Sequence, residues 1–146
     1  MLEIKFHSPE YYPHCGFTYV VIGARYRGRW VFIRHRHRRS YEIPAGHINE
    51  HEDPDIAAGR ELEEETGAKK YTIECISTYT IMEDEKLRAG RLYYADIEIL
   101  GEKTDDSEIE RVVFSDQLPE IKSFTYVQTV LFRFLEDYTV NKSGQA

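Results

Sequence analysis

The chain has 146 residues, enough for one domain at about 100–200 residues per domain and too few for two. Apolar residues make up 41% and charged residues 31%, which excludes a disordered or membrane-embedded chain and leaves an ordinary globular one. With 26 acidic against 19 basic side chains the net charge is −7, so the surface as a whole repels duplex nucleic acid, although a local basic patch is compatible with that balance.

Residues 17–25 and 29–34 are rich in aromatic and β-branched side chains and are joined by Arg27-Gly28, which predicts a β-hairpin. A basic run from Arg34 to Arg39 follows, then a short YEIP segment and Ala45-Gly46. Residues 71–82 and 91–99 read as strands, with the polar run from Glu83 to Lys86 as the loop between them. A short strand is expected at 111–115 and a closing amphipathic helix at 125–138, its apolar stripe formed by Val127, Val130, Leu131, Phe134 and Leu135. Residues 141–146 read as a polar, fraying tail of a single domain spanning 1–146, because no repeat or linker marks a boundary. No apolar run approaches the roughly 18–20 residues of a membrane span, and the opening MLEIKFHSPE lacks a secretory pattern. Cys15 and Cys75 form no C-x-x-C pair, so a reducing, cytoplasmic setting without disulfides is expected.

The sharpest prediction is a helix over 54–66. Asp53 suits the N-cap, Pro54 the first helical position and Gly67 the left-handed residue past the end. Ile56, Ala57 and Leu62 offer an apolar contact, while the rest of the segment is loaded with acids. Glu61, Glu64 and Glu65 are three and four apart and share one helical face. Like charges at that spacing repel, and these sit towards the negative end of the helix dipole. A helix opposed in two ways by its own side chains makes sense when a cation binds there. Three hard oxygen ligands suit Mg²⁺ or Mn²⁺, whereas zinc lacks His or Cys at matching spacing and an EF-hand places its ligands along a loop. Taken alone, E-x-x-E-E also reads as a solvated acidic face.

The flanks decide between these readings. From Gly46 the chain runs through Glu52 to Arg60-Glu61-Leu62-Glu63-Glu64-Glu65-Thr66-Gly67-Ala68. This resembles the Nudix box, G-x5-E-x7-R-E-U-x-E-E-x-G-U with U apolar, at every fixed position, Ala68 being the smallest residue acceptable at the last one. The order of hairpin, loop, box helix, strands and final helix resembles the Nudix fold over most of the chain. The resemblance implies an α/β fold, specifically an α/β/α sandwich with a mixed central sheet, the box as loop–helix–loop, and a C-terminal helix.

It also implies a pyrophosphohydrolase that uses Mg²⁺ or Mn²⁺ to cleave a nucleoside diphosphate linked to another group. Glu61, Glu64 and Glu65 are then the metal ligands, joined by the backbone carbonyl of Gly46. Acidic side chains cannot hold a pyrophosphate directly, but metal ions invert the local field. Arg60 is expected to pair with Glu52 or Glu61 and hold the loop in register, with Glu52 the second matching acid of the box. Glu63, His47 and His51 fill variable positions and read as solvated or loop residues. The general base is left open between Glu52, inside the box, and Glu83, Asp84 and Glu85, beyond it.

Substrate choice lies mostly outside the box. No proline occurs between Pro54 and Pro119, which speaks against the ADP-ribose pattern, and Tyr79 falls too early for that of the dinucleoside polyphosphate hydrolases. The layout resembles the MutT-type nucleoside triphosphate branch, with 8-oxo-dGTP and RNA 5′-triphosphate ends as candidate substrates. ADP-ribose or another nucleotide sugar, or a non-catalytic nucleotide-binding module, is the alternative. Arg34, Arg36, Arg38 and Arg39 are candidate contacts to terminal phosphates, since arginine forks fit phosphate oxygens. Tyr19, Tyr79, Tyr93 and Phe124 offer ring faces, but strand aromatics usually pack against neighbours, so no site is assigned to them. The expected partner is a nucleotide, without membrane or duplex nucleic acid; homodimers are common in the family and nothing in the sequence decides the matter.

Overall fold

The computed structural model describes residues 1–37, 40–103, 108–117 and 125–144. In chain order the strands are β1 (Leu2–His7), β2 (Tyr19–Tyr26), β3 (Arg29–His35), β4 (Tyr41–Glu42) and β5 (Ala45–His47). Helix α1 (Pro54–Thr66) follows, then β6 (Ala68–Glu83), β7 (Lys86–Leu100), β8 (Ile109–Ser115) and α2 (Tyr126–Gly144). The sheet runs β1-β6-β7-β2-β3-β4, with β5 paired to β2 and β8 to β3. It is mixed: β2 and β7 are parallel and every other pairing is antiparallel.

The side-chain alternation of β2 builds two cores at once. Val20, Ile22 and Ala24 face Ala57, Ala58 and Leu62 of α1. Val21 faces the other way, into a cluster with Trp30, Phe32, Leu131, Phe132 and Leu135, the last three from α2. The chain is therefore a sheet between two helices. No helix among the described residues is long and apolar enough to cross a membrane.

Helix α1 starts and stops where the sequence places it. The Asp53 carboxylate accepts the Asp55 N–H at 2.8 Å, and Gly67 closes the helix at φ 83°, its N–H donating to the Glu63 carbonyl. Its buried face consists of Ala57, Ala58, Leu62, Glu65 and Thr66, whereas Ile56 is 66% exposed, contrary to the expected apolar contact. Ala68, small as it is, is buried in the α1-side core.

Several elements differ from expectation. Strand β1 was not anticipated; Leu2, Ile4 and Phe6 alternate with Glu3 and Lys5 and pack on the α2-side core. The segment from Glu83 to Lys86 is a tight hairpin turn rather than a loop, with Glu83 and Lys86 paired and only Asp84 and Glu85 at the tip. Helix α2 continues to Gly144, past the point where the tail was expected to begin. Tyr138 donates to the Glu74 carboxylate and Lys142 lies 3.5 Å from it, which ties the last turns to β6. Tyr93 is buried in the α1-side core, its hydroxyl donating to Asp55. Phe124 lies outside the described residues.

Candidate active site

Strand β5 brings the start of the box against the sheet: Gly46 pairs with Val20 and Ala45 with Val21. Two acids of α1, one turn apart, grip this short strand. The Ala45 N–H donates to Glu65 Oε1 at 2.8 Å. The Glu61 carboxylate lies against Gly46 so closely that a Cβ there would fall 2.1 Å from its carbon. Any residue but glycine at position 46 would push Glu61 away. Glu65 is only 8% exposed, while Glu64 turns outward to solvent.

Arg60 holds these groups together. Its Nε and Nη2 donate to the two oxygens of Glu52 at 2.8 and 2.9 Å, a two-pronged pairing that fixes the loop before α1. Nη2 also reaches the His47 carbonyl at 3.2 Å, and Nη1 bridges Glu61 at 2.9 Å and Glu64 at 3.3 Å. The expected pairing of Arg60 with Glu52 or Glu61 is thus made with both. Glu52 also accepts the Asn49 N–H. The Arg60 hydrogen bonds, then that of Asn49, depress the Glu52 carboxyl to about 2. Glu61 is shifted the other way: burial raises its pKa despite the opposing pull of Arg60.

The oxygen-rich set of Glu61, Glu64, Glu65 and the Gly46 carbonyl fits a hard divalent cation. The fit rests on the Gly46 cradle, which brings a carboxylate and backbone together with nothing between them. Among the described residues no three acids, histidines or cysteines converge on one point as they stand. Arg60 draws Glu61 and Glu64 to itself, and Ala45 holds one oxygen of Glu65.

Other candidates fall elsewhere. Arg34 stacks over Tyr41 and lies 3.6 Å from Glu110, towards the β3–β8 pairing. Arg36 is exposed, its backbone N–H bonded to Glu108, and Arg38 and Arg39 lie outside the described residues. Glu83, Asp84 and Glu85 make no hydrogen bond or ion pair to a box residue among the described residues; Glu83 lies 3.9 Å from Arg88. Glu63, read as solvated, accepts a hydrogen bond from the Tyr71 hydroxyl at 2.7 Å.

A cavity of about 460 Å³ opens beside Gly46 between the sheet and the first turns of α2, with Tyr19, His35, His47, Arg88 and Gln128 in its lining. Its volume is that of a small-molecule site. A second, shallower depression of about 550 Å³ runs along the outer flank of α1 past Ile56 and Tyr71, with Arg60 and Glu64 at its edge. The cavity beside Gly46 lies between the sheet and α2 and opens on the box strand. Sequence reasoning missed His35, which sits 3.9 Å from Glu42 and 4.0 Å from Glu65. It looks like part of the basic run, but its period-two spacing from Val31 and Ile33 is the signal that it points inward.

The model of the NUDIX domain matches residues 14–135. The chain belongs to the Nudix family. The Nudix chain is 34% identical over 102 residues to YtkD of Bacillus subtilis strain 168, a candidate 8-oxo-dGTP diphosphatase, covering 70% of this chain and 64% of that protein. It is 30% identical over 86 residues to a CMP-5′-(N-acetyl-N-hydroxy-3-aminopropyl)phosphonate hydrolase of Streptomyces rubellomurinus, covering 55% of this chain and 42% of the relative. The Nudix chain thus spans less than two thirds of either curated relative. Among solved structures it resembles the Bacillus subtilis pyrophosphohydrolase BsRppH (E68A mutant), with a TM-score of 0.74 and 26% identity over 94% of this chain and 90% of that one.

Proposed function

We propose that this Nudix chain is a pyrophosphohydrolase, dependent on Mg²⁺ or Mn²⁺, that cleaves nucleoside triphosphates or the triphosphate of an RNA 5′ end. The observation that carries the reading is the grip of Glu61 and Glu65 on Ala45-Gly46, two residues that also line the cavity of about 460 Å³. The names of YtkD and BsRppH support the substrate class.

In this reading Glu61, Glu64, Glu65 and the Gly46 carbonyl hold the ion. When bound, it neutralises charge on the phosphate oxygens and lowers the pKa of a coordinated water. Without it, four acids against one arginine would repel a triphosphate. Arg60 and Glu52 position the loop, and Glu52 is a poor proton acceptor near neutral pH, since Arg60 and Asn49 occupy its oxygens and hold its pKa at about 2. The Tyr19 and His47 rings, 4.5 Å apart, frame the rim of the cavity next to Gly46.

A substrate panel with Mg²⁺ or Mn²⁺ tests the proposal, using oxidised and normal dNTPs, 5′-triphosphate RNA, ADP-ribose and dinucleoside polyphosphates, with phosphate and pyrophosphate release as the readout. Turnover of triphosphates or triphosphate RNA above the other classes is expected. ADP-ribose as the best substrate would overturn the substrate class, and nucleotide binding without turnover would mean a non-catalytic module.

A further inference from the structure

Strand β1 is an edge: among the described residues it pairs with β6 on one side and with no strand on the other. Every second residue of such a strand turns its N–H and C=O outward, where another strand can take them up. Leu2, Ile4 and Phe6 face the α2-side core, and Phe6 stacks on Phe134 at 4.3 Å. All three are nonetheless only half-buried, as apolar side chains at an uncovered edge must be. Glu3 and Lys5 point to the opposite face, where both are exposed. Their charges lie 3.6 Å apart, an ion pair of little worth to the free chain at that exposure.

We propose that two copies of this chain join edge to edge through β1, antiparallel across a two-fold axis at Ile4, so that their sheets become continuous. What selects a second copy as the partner is the charge pattern of the strand itself. Residues directly opposite in an antiparallel pair share a face and interact. With the axis at Ile4, Leu2 lies opposite Phe6, Ile4 opposite itself, and Glu3 opposite Lys5, this last contact occurring twice by symmetry. An axis at Glu3 would set that carboxylate against itself, and one at Lys5 would oppose two ammonium groups. An axis between residues would place charged side chains against apolar ones. Registers centred nearer either end shorten the overlap. One alignment therefore satisfies both faces of the strand. β6 and β7 stand between β1 and β2, which carries the box strand β5, so this surface is separate from the box and the inference does not depend on the hydrolase reading.

Sedimentation equilibrium over a concentration series tests the proposal. Native protein is expected to reach twice the 17.2 kDa of one chain. Lys5→Glu and Glu3→Lys each turn two attractive contacts across the axis into repulsive ones, and each should weaken self-association by about tenfold or more. An equimolar mixture of these two variants restores both opposite-charge contacts and should dimerise as the native protein does, which also shows that neither variant has simply misfolded. The double exchange, Glu3→Lys with Lys5→Glu, should behave as native on its own. Native protein that keeps the mass of one chain throughout the series would overturn the proposal. So would a dimer that neither single variant weakens, which would put the interface on another face, or single variants that stay apart when mixed.

Discussion

Arg60 donates through three nitrogens to Glu52, Glu61, Glu64 and the His47 carbonyl, so one side chain sets the loop, the helix and the acids in a common frame. The pairing of Glu52 with Arg60 and the burial of Glu61 separate the proton affinities of two carboxyls of the same box. Unfolded Glu52 takes up a proton near its ordinary value of about 4.3, whereas the folded group refuses it until about 2. The stabilisation from this pairing is present above that range and is lost as the pH falls from about 4 to about 2. Glu61, raised by burial, takes up its proton first on acidification, and the stability it contributes when protonated is lost as the pH rises through its folded pKa. A carboxyl ¹³C NMR titration should put the Glu52 midpoint near 2 and that of Glu61 above the ordinary range, with Arg60→Gln returning Glu52 towards about 4.3. An ordinary Glu52 midpoint in the native protein would contradict the frame. The pairing of Arg60 was legible in the spacing of the box. The Tyr71 hydrogen bond to Glu63 was not, because it joins a helix to a strand that turns back over it only in the fold.

Among the elements, α1 was legible from end to end, since Asp53, Pro54 and Gly67 each carry a local conformational preference that the structure uses. The β6–β7 connection was misread because its residues are all polar, which marks a loop as readily as a tight turn. Asp84 and Glu85 both have positive φ, 51° and 65°, the geometry of a two-residue hairpin that favours Asn-Gly or Asp-Gly. Glu85 holds a left-handed conformation that costs a non-glycine residue roughly 1–2 kcal/mol. Glu85→Gly should therefore stabilise the protein by about 1 kcal/mol, allowing for the greater entropy of glycine when unfolded, and raise Tm by about 2–4 °C. Turnover should persist, since the tip contacts no box residue. An unchanged or lower Tm would contradict the turn geometry, and lost turnover would support Glu85 as the base. Strand β1 was overlooked for a different reason: its alternation is plain, but six residues at the start of a chain are a weak signal without the β6 partner they pair with.

At the scale of the whole molecule, the sheet divides the labour between its faces. The α1 side carries the acids of the box, and the cavity lies towards the first turns of α2. The capping residues of α1, the apolar stripe of α2 and the aromatic and β-branched segments predicted both helices and most strands, and the resemblance to the Nudix fold supplied the layered architecture. None of these signals could reveal the cavity, whose lining is drawn from β2, β3, β4, β5, β6, β7 and α2 and meets only when the sheet has formed. The central claim is that acids crowded on one helical face and pinned to Ala45-Gly46 exist to hold a divalent ion. Mn²⁺ binding followed by electron paramagnetic resonance, alongside turnover, tests it most directly in the native protein and in Glu64→Gln and Glu65→Gln. Loss of about tenfold or more in Mn²⁺ affinity, with turnover falling in step, is the predicted result; variants that bind the ion and turn over substrate as the native protein does would contradict it.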